Sequence, residues 1–239
     1  MPTRVQTYHH QRSKKRWQPW LGGVLAIICF AIFWIWHDPD LRINFIPNER
    51  ICDVPLEKQL PALPNGCEVT SLSMLLRDKG FDTNKRQLGR EIPHVPSFEG
   101  GDYRGNPHKG FVGYMSIANA GWCVYNEPLY NLAKKYTPDA VNYTGHDFNG
   151  VICQVAAGHP VLIICSLNFK PVHDMQTWKT HQGKVRVTPS SHCVVVTGYN
   201  KRKGIVYVND PYGYKNKPVN WSNLAAVYKQ QGQQAIYLK

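Results

Sequence analysis

The feature that most constrains this chain is a helix start with a cysteine in its first turn. Two prolines, Pro61 and Pro64, and an Asn-Gly pair interrupt the chain just before Cys67. After it, apolar residues recur at helical spacing as far as Gly80. The free N–H groups and the positive dipole end of a helix favour a thiolate, so Cys67 is a candidate nucleophile with a lowered pKa. The alternative is a structural cysteine packed in the core, since free cysteines are often buried.

The N-terminal part of the chain differs from the rest. Residues 1–19 form a polar, basic tail, and residues 20–36 are an uninterrupted apolar run with tryptophans at both edges. A run of this length predicts one membrane-spanning helix that acts as a signal anchor. Basic residues before it and acidic residues after it predict a cytoplasmic N-terminus and an extracytoplasmic bulk. The alternative, a cleaved signal peptide, lacks the small residues of a cleavage site.

Length and charge limit the number of domains and the kinds of partner that the remaining chain can have. One folded domain is predicted for residues 51–239, after a polar linker at residues 37–50. The net charge of +12 suits an anionic neighbour such as a membrane surface or a wall polymer. No basic stripe with interleaved aromatics lies outside the tail, so no nucleic-acid partner is expected.

The seven cysteines show no metal-binding pattern. They form no C-x-x-C and no C-x-x-H pair, so neither a metal nor another cofactor is expected. An oxidising exterior would permit a disulfide among the outer cysteines, and the sequence does not choose its partners.

The periodicity of the domain predicts helices first and a sheet afterwards. Helices are predicted at residues 85–91, 111–120, 128–136, 147–157 and 221–230, with a long Gly/Pro-rich loop at 93–110. Strands are predicted at residues 160–165, 192–199, 205–210 and 234–238. This order is typical of an α+β domain.

Two β-branched runs in the C-terminal third predict a hairpin with a polar turn. If Tyr199 faces Ile205 across the turn, Asp210 lies diagonal to His192 on one side of the sheet, within reach of its ring. A register slip of one residue would instead bring Asn209 to that side.

These residues together match the needs of a cysteine hydrolase. Cys67 would be the nucleophile, His192 the general base and Asp210 the group that orients the base. Gln59, shortly before the nucleophile, could join the Cys67 backbone N–H in binding an oxyanion.

Several segments together resemble a papain-like cysteine peptidase. They are Pro55-Leu56 with Gln59, Asn65-Gly66-Cys67-Glu68-Val69-Thr70-Ser71-Leu72, Gly110-Phe111-Val112-Gly113, Gly158-His159-Pro160-Val161, Ser191-His192-Cys193-Val194-Val195-Val196-Thr197-Gly198-Tyr199 and Val208-Asn209-Asp210-Pro211. The chain is most similar to the bacteriocin-processing (double-glycine) leader peptidases, the thirty-ninth cysteine-peptidase family. The resemblance implies a papain-like α+β fold over residues 51–239, the four site roles given above, and a bacterial, Gram-positive origin.

The chain departs from those leader peptidases in its setting. Leader peptidases of that family are typically the cytosolic N-terminal part of an ATP-driven exporter, whereas this domain is predicted to lie outside and has no G-x-x-x-x-G-K-[ST] loop. A secreted peptide, a secreted protein or a cell-wall peptide is therefore the expected substrate. Two alternatives stay open: a non-catalytic wall- or peptide-binding module on the same fold, and an acyl or peptidyl transferase that uses the same residues.

Overall fold

The computed structural model of the protein describes residues 19–239. Its helices are α1 (Pro19–His37), α2 (Pro39–Arg42), α3 (Cys67–Asp78), α4 (Lys85–Glu91), α5 (Asn126–Tyr136), α6 (Phe148–Ala157) and α7 (Trp221–Gln230). Its strands are β1 (Glu49–Ile51), β2 (His94–Val95), β3 (Phe111–Val112), β4 (Ala140–Asn142), β5 (Val161–Ser166), β6 (Gln176–Thr180), β7 (Gly183–Val187), β8 (Ser191–Asn200), β9 (Ile205–Asp210), β10 (Tyr214–Asn220) and β11 (Ala235–Leu238). Helices and sheet are mixed as the α+β prediction requires.

The predicted tail lies outside the described residues apart from its last one, and the predicted anchor lies within α1. In the part of the chain that is described, no helix has both the length and the apolar character needed to cross a membrane. The anchor therefore stays a prediction. The predicted linker is held against the domain, because Lys201 Nζ donates to the carbonyls of Ile43 and Ile46, at 2.9 and 3.0 Å.

A seven-stranded sheet organises the domain. Its strands follow the order β10-β9-β8-β5-β11-β4, all neighbours are antiparallel, and β1 pairs with the far end of β8. Along β8, Cys193 and Val195 join the core beneath α3 and α5, while Val194 and Val196 join the core beneath α6 and α7. Both faces of β8 are therefore covered, and His192 is the second residue of this strand.

Local capping explains why most of the predicted helices are confirmed. The Asn84 side chain accepts from Gln87 N (3.0 Å) at the start of α4, and Asp147 accepts from Gly150 N (2.7 Å) at the start of α6. Helix α6 ends at Gly158, whose φ of 96° is the left-handed conformation that favours glycine. The predicted α3, α7 and buried β5 are confirmed as well.

The helix predicted at residues 111–120 is wrong. The segment instead begins with β3, which pairs in parallel with β2 inside the stretch predicted as a structureless loop. Gly113 then turns with a φ of +86°, and a Cβ there would lie 2.3 Å from the Ala120 carbonyl oxygen. The chain doubles back on itself at this glycine, which excludes a helix.

The hairpin of β8 and β9 has two registers. Tyr199 pairs with Val206 rather than with the predicted Ile205, so the register predicted next to the turn is wrong. A β-bulge at Thr197 absorbs one residue, and beyond it Val195 pairs with Asn209, as the predicted register requires. The bulge therefore cancels the one-residue error next to the turn, and the register at the candidate site is the predicted one.

Candidate active site

Cys67 is the first residue of α3, and the loop before it is tightly fixed. Asn65 donates from its side chain to the carbonyls of Tyr114 and Ile117, at 3.0 and 2.7 Å, and its backbone N–H donates to Met115 O at 3.1 Å. The first N–H groups of a helix have no intrahelical acceptor. The Cys67 backbone N–H is therefore available for a ligand beside its own thiol.

His192 and Asp210 meet on one side of the sheet, as predicted. His192 Nε2 donates to Asp210 Oδ1 at 2.9 Å, and the two side chains are 1% and 2% exposed. An ionised carboxylate only accepts, so the ring carries its hydrogen on Nε2 and presents the lone pair of Nδ1. This is the tautomer that a general base needs.

The pKa of Asp210 is lowered despite its burial. Burial alone would raise it, but the hydrogen bond and charge of His192, the Tyr212 N–H (3.0 Å) and the Lys217 ammonium (2.9 Å to Oδ2) outweigh that effect and bring the pKa to about 2. Asp210 is therefore a fixed negative charge over the pH range in which imidazole titrates.

A hydrogen bond connects the helix of Cys67 with the strand of His192, and a tyrosine ring packs beside the imidazole. Ser71 Oγ, one turn into α3, donates to the Cys193 carbonyl at 3.1 Å. The Tyr212 ring stacks on the His192 ring with centroids 5.3 Å apart, and burial is the main cause that raises the pKa of the Tyr212 hydroxyl. Tyr212 thus packs on the imidazole of the imidazole–carboxylate pair.

Gln59 is buried beside the loop that leads to Cys67. Its backbone N–H donates to Pro211 O (2.8 Å), and its side-chain Nε2 donates to Pro64 O (2.7 Å). An amide nitrogen has two hydrogens, so the bond to Pro64 fixes the group and leaves one N–H for another acceptor. The Gln59 Oε1 atom is buried and has no hydrogen-bond partner among the described residues.

The lowered pKa predicted for Cys67 is wrong for this structure. Burial, followed by the charge of Glu68, raises the pKa of the thiol well above its ordinary range. The Cys67 Sγ–H group donates to Glu68 Oε2 at 3.3 Å. The helix N-terminus favours a thiolate, but a buried thiol next to a carboxylate stays protonated because a second negative charge would be costly there.

Three residues of this site were missed by reasoning from the sequence: Glu68, Tyr212 and Lys217. Glu68 and Tyr212 follow motif residues directly, so their proximity could have been noticed. Lys217 lies on β10, a mostly exposed strand whose sequence lacks the apolar alternation that predicts a strand.

Residues 51–236 match the family described as Peptidase_C39 like family. The uncharacterized protein YvpB of Bacillus subtilis (strain 168) is 43% identical over 190 residues, which cover 78% of this chain and 75% of that protein. The crystal structure of a candidate C39-like peptidase from Bacillus anthracis is 39% identical, with a TM-score of 0.76, covering 80% of this chain and 97% of that chain. Xylellain, a cysteine protease from Xylella fastidiosa, has a TM-score of 0.46 and 11% identity over 82% of this chain and 87% of that chain, too weak a likeness to carry an argument.

The matched range begins at the last residue of β1 and ends within β11, so it takes in most of the central sheet and all four predicted site residues. The structural likeness to the Bacillus anthracis protein extends over nearly all of that protein's length. The chain belongs to the Peptidase_C39 like family.

Proposed function

We propose that the protein is a cysteine peptidase, or a related amide hydrolase, with Cys67 as nucleophile and His192 as general base. Asp210 orients the imidazole, and Gln59 donates to the oxyanion. The observation that carries the proposal is the buried His192–Asp210 pair, on a strand whose Cys193 carbonyl accepts a hydrogen bond from Ser71 of the helix that begins at Cys67. Membership of a peptidase-like family supports the same class of reaction.

The raised pKa of Cys67 determines how the reaction would begin. His192 Nδ1 takes the proton from Sγ as the sulfur attacks the carbonyl carbon, so that an S–H bond breaks while an N–H and a C–S bond form. The carbonyl oxygen becomes an oxyanion, which the Cys67 backbone N–H and the free N–H of Gln59 stabilise. The imidazolium then protonates the leaving amine, and water releases the acyl group by the reverse order of proton transfers.

The proposed setting is extracytoplasmic, with residues 20–36 as a membrane anchor. The charge distribution on the two sides of that run supports this orientation. The proposed substrates are secreted peptides or proteins and cell-wall peptides, and the large positive charge supports a location next to anionic polymers.

The decisive experiment incubates the detergent-solubilised full chain with a peptide library and with wall fragments, followed by mass analysis of the products. We expect cleaved amide bonds, and we expect Cys67→Ala and His192→Ala to abolish them. Cys153→Ala, at a buried cysteine on α6 away from the site, is the matched control and should keep full activity. Products that carry an added amine would indicate a transferase, and binding without any product in the wild type would indicate a binding module.

Gln59 offers a separate test of the oxyanion site. Gln59→Ala removes the side-chain donor but not the nucleophile, so alkylation of Cys67 should persist while turnover falls by about 10²–10³-fold. Single-turnover kinetics with an activated ester or amide would measure the loss. An unchanged rate would remove Gln59 from the proposed mechanism and leave the other three roles standing.

A further inference from the structure

The carboxylate of Glu68 shares the pocket of the proposed nucleophile. Its Oε2 accepts from Cys67 Sγ at 3.3 Å, and its Oε1 accepts from the Val124 backbone N–H at 3.0 Å. Glu68 is 1% exposed and Cys67 is 8% exposed. A glutamate buried to this degree is unusual unless it is paired, and its partners here are one thiol and one amide.

Among the described residues the Glu68 carboxylate forms no ion pair. Besides burial, its charge raises the pKa of four surrounding acids, namely Cys67, Cys193 on β8, and Cys123 and Tyr125 on the segment before α5. His192, the proposed base, is the basic group that the proposed mechanism brings to the Cys67 thiol. Burial raises the pKa of Glu68 to about 7, although its own N–H, the Val124 N–H and the Cys67 thiol act in the opposite direction. Cys67 and Glu68 therefore cannot both be negative without a large free-energy cost.

We propose that Glu68 is a positioning residue that keeps the Cys67 thiol protonated and hydrogen-bonded in the resting site. The inference rests on the proposed function, since it describes how that nucleophile is held. The thiol proton leaves only when His192 Nδ1 accepts it during attack on a bound substrate. In that step the S–H bond breaks, an N–H bond forms on the ring, and Glu68 keeps its protonation state while it loses the hydrogen bond.

This arrangement separates the protein from cysteine enzymes that rest as a thiolate–imidazolium pair. A resting thiol reacts slowly with stray electrophiles and oxidants, because the thiolate is the reactive form. A bound carbonyl group removes the free-energy cost of a thiolate beside Glu68. As the C–S bond forms, the negative charge develops on the carbonyl oxygen, where the oxyanion donors stabilise it. Glu68 would thus make reactivity conditional on the substrate.

The test measures the rate of Cys67 alkylation by iodoacetamide against pH in the full chain, with mass analysis to identify the labelled cysteine. The wild type should show an apparent pKa above the ~8.5 of a free thiol. Glu68→Gln keeps an acceptor for Val124 but removes the charge, and it should lower the apparent pKa by at least about one unit, which increases labelling at pH 7 about tenfold. Glu127→Gln, at a glutamate whose side chain is 46% exposed and pairs with His108 at 2.7 Å, is the control and should follow the wild type.

Two results would overturn the inference: a Glu68→Gln profile that coincides with the wild type, or a wild-type apparent pKa below ~8.5. The second measurement needs no variant, so it decides the matter even where Glu68→Gln fails to fold. Loss of the proposed function has a different signature, namely peptide turnover that survives Cys67→Ala. The alkylation profile does not depend on that assay.

Discussion

At the scale of single residues, Lys217 contributes to the candidate site through Asp210. Its ammonium lies 2.9 Å from Asp210 Oδ2, and the same group lies over the rings of Phe169 and Tyr214, 4.6 Å from each centroid. Lys215, two residues earlier on β10, pairs with Asp53, whose side chain is 91% exposed. One strand therefore carries a lysine directed at a buried carboxylate and a lysine directed at solvent.

Lys217→Met should shift the acid limb of the activity profile to higher pH. The change keeps an apolar side chain over Phe169 but removes a cation that lowers the pKa of Asp210. Because Lys217 is partly exposed, we expect a shift of at most about one pH unit and a loss of at most about tenfold in kcat/KM. Lys215→Met should leave both unchanged. Equal effects of the two variants would show that only the overall charge of β10 matters.

Glu68 makes the stability of the fold depend on pH. Its pKa is raised from 4.5 to about 7 in the folded protein, so its contribution to stability is fully present below pH 4.5 and is lost as the pH rises through 7. The loss amounts to about 3 kcal/mol in the free energy of unfolding. Denaturant unfolding of Glu68→Gln between pH 4.5 and 8 should lack this decline. A decline parallel to that of the wild type would place the titrating group elsewhere.

At the scale of secondary-structure elements, β9 ends with two polar residues whose side chains lie on opposite faces of the sheet. Asp210 meets His192, whereas Asn209 points to the other face, where its Nδ2 donates to Val54 O (3.0 Å) and its Oδ1 accepts from Asn216 N (2.9 Å). The bulge at Thr197 on β8 sets which of the two reaches the imidazole.

The two β9 residues should therefore respond differently to substitution. Asp210→Asn should lower turnover by about 10⁴-fold through the wrong imidazole tautomer while the fold persists. Asn209→Ala should destabilise the domain by about 1–3 kcal/mol, since the buried Val54 carbonyl and the half-buried Asn216 N–H lose their partners, with little change in the pH profile of activity. Asn209→Asp should not rescue Asp210→Asn. Thermal unfolding together with kinetics separates these outcomes, and an inactive but stable Asn209→Ala would contradict the assigned faces.

Elements with strong local signals could be predicted from the sequence. Helix α6 has an Asp cap and a terminal glycine, and β5 is a continuous apolar run. Strand β10 and the β6–β7 hairpin could not, because they lie at the margins of the fold with mostly exposed residues and no apolar alternation. Trp178 of that hairpin packs on Trp122, with ring centroids 4.6 Å apart.

The candidate site was predictable in its residue types but not in its electrostatics. The order of Cys67, His192 and Asp210 along the chain follows from chemistry that needs all three, and the His192–Asp210 contact is confirmed. The predicted thiolate failed because burial and a neighbouring carboxylate depend on how α3 packs against β8 and the segment before α5. No spacing rule encodes that packing.

At the scale of the whole molecule, the proposed topology is open to a direct test. If residues 20–36 anchor the chain with the domain outside, protease added to intact cells should digest the domain and spare residues 1–19. An epitope tag at each end of the chain would show on one immunoblot whether the domain is digested and whether residues 1–19 are spared. Protection of the domain until the membrane is opened would reverse the orientation and place the reaction in the cytoplasm.

Strand β8 also acts as a spacer. Its last residue, Asn200, pairs with Glu49 at the point where the N-terminal segment joins the sheet, whereas His192 lies near its first residue. At roughly 3.3 Å per residue, the strand separates the two by about 26 Å. A domain anchored through its N-terminal segment would therefore hold the His192 end of β8 on the side away from the anchor. Amide bonds that lie directly at the membrane surface would then be out of reach of the candidate site.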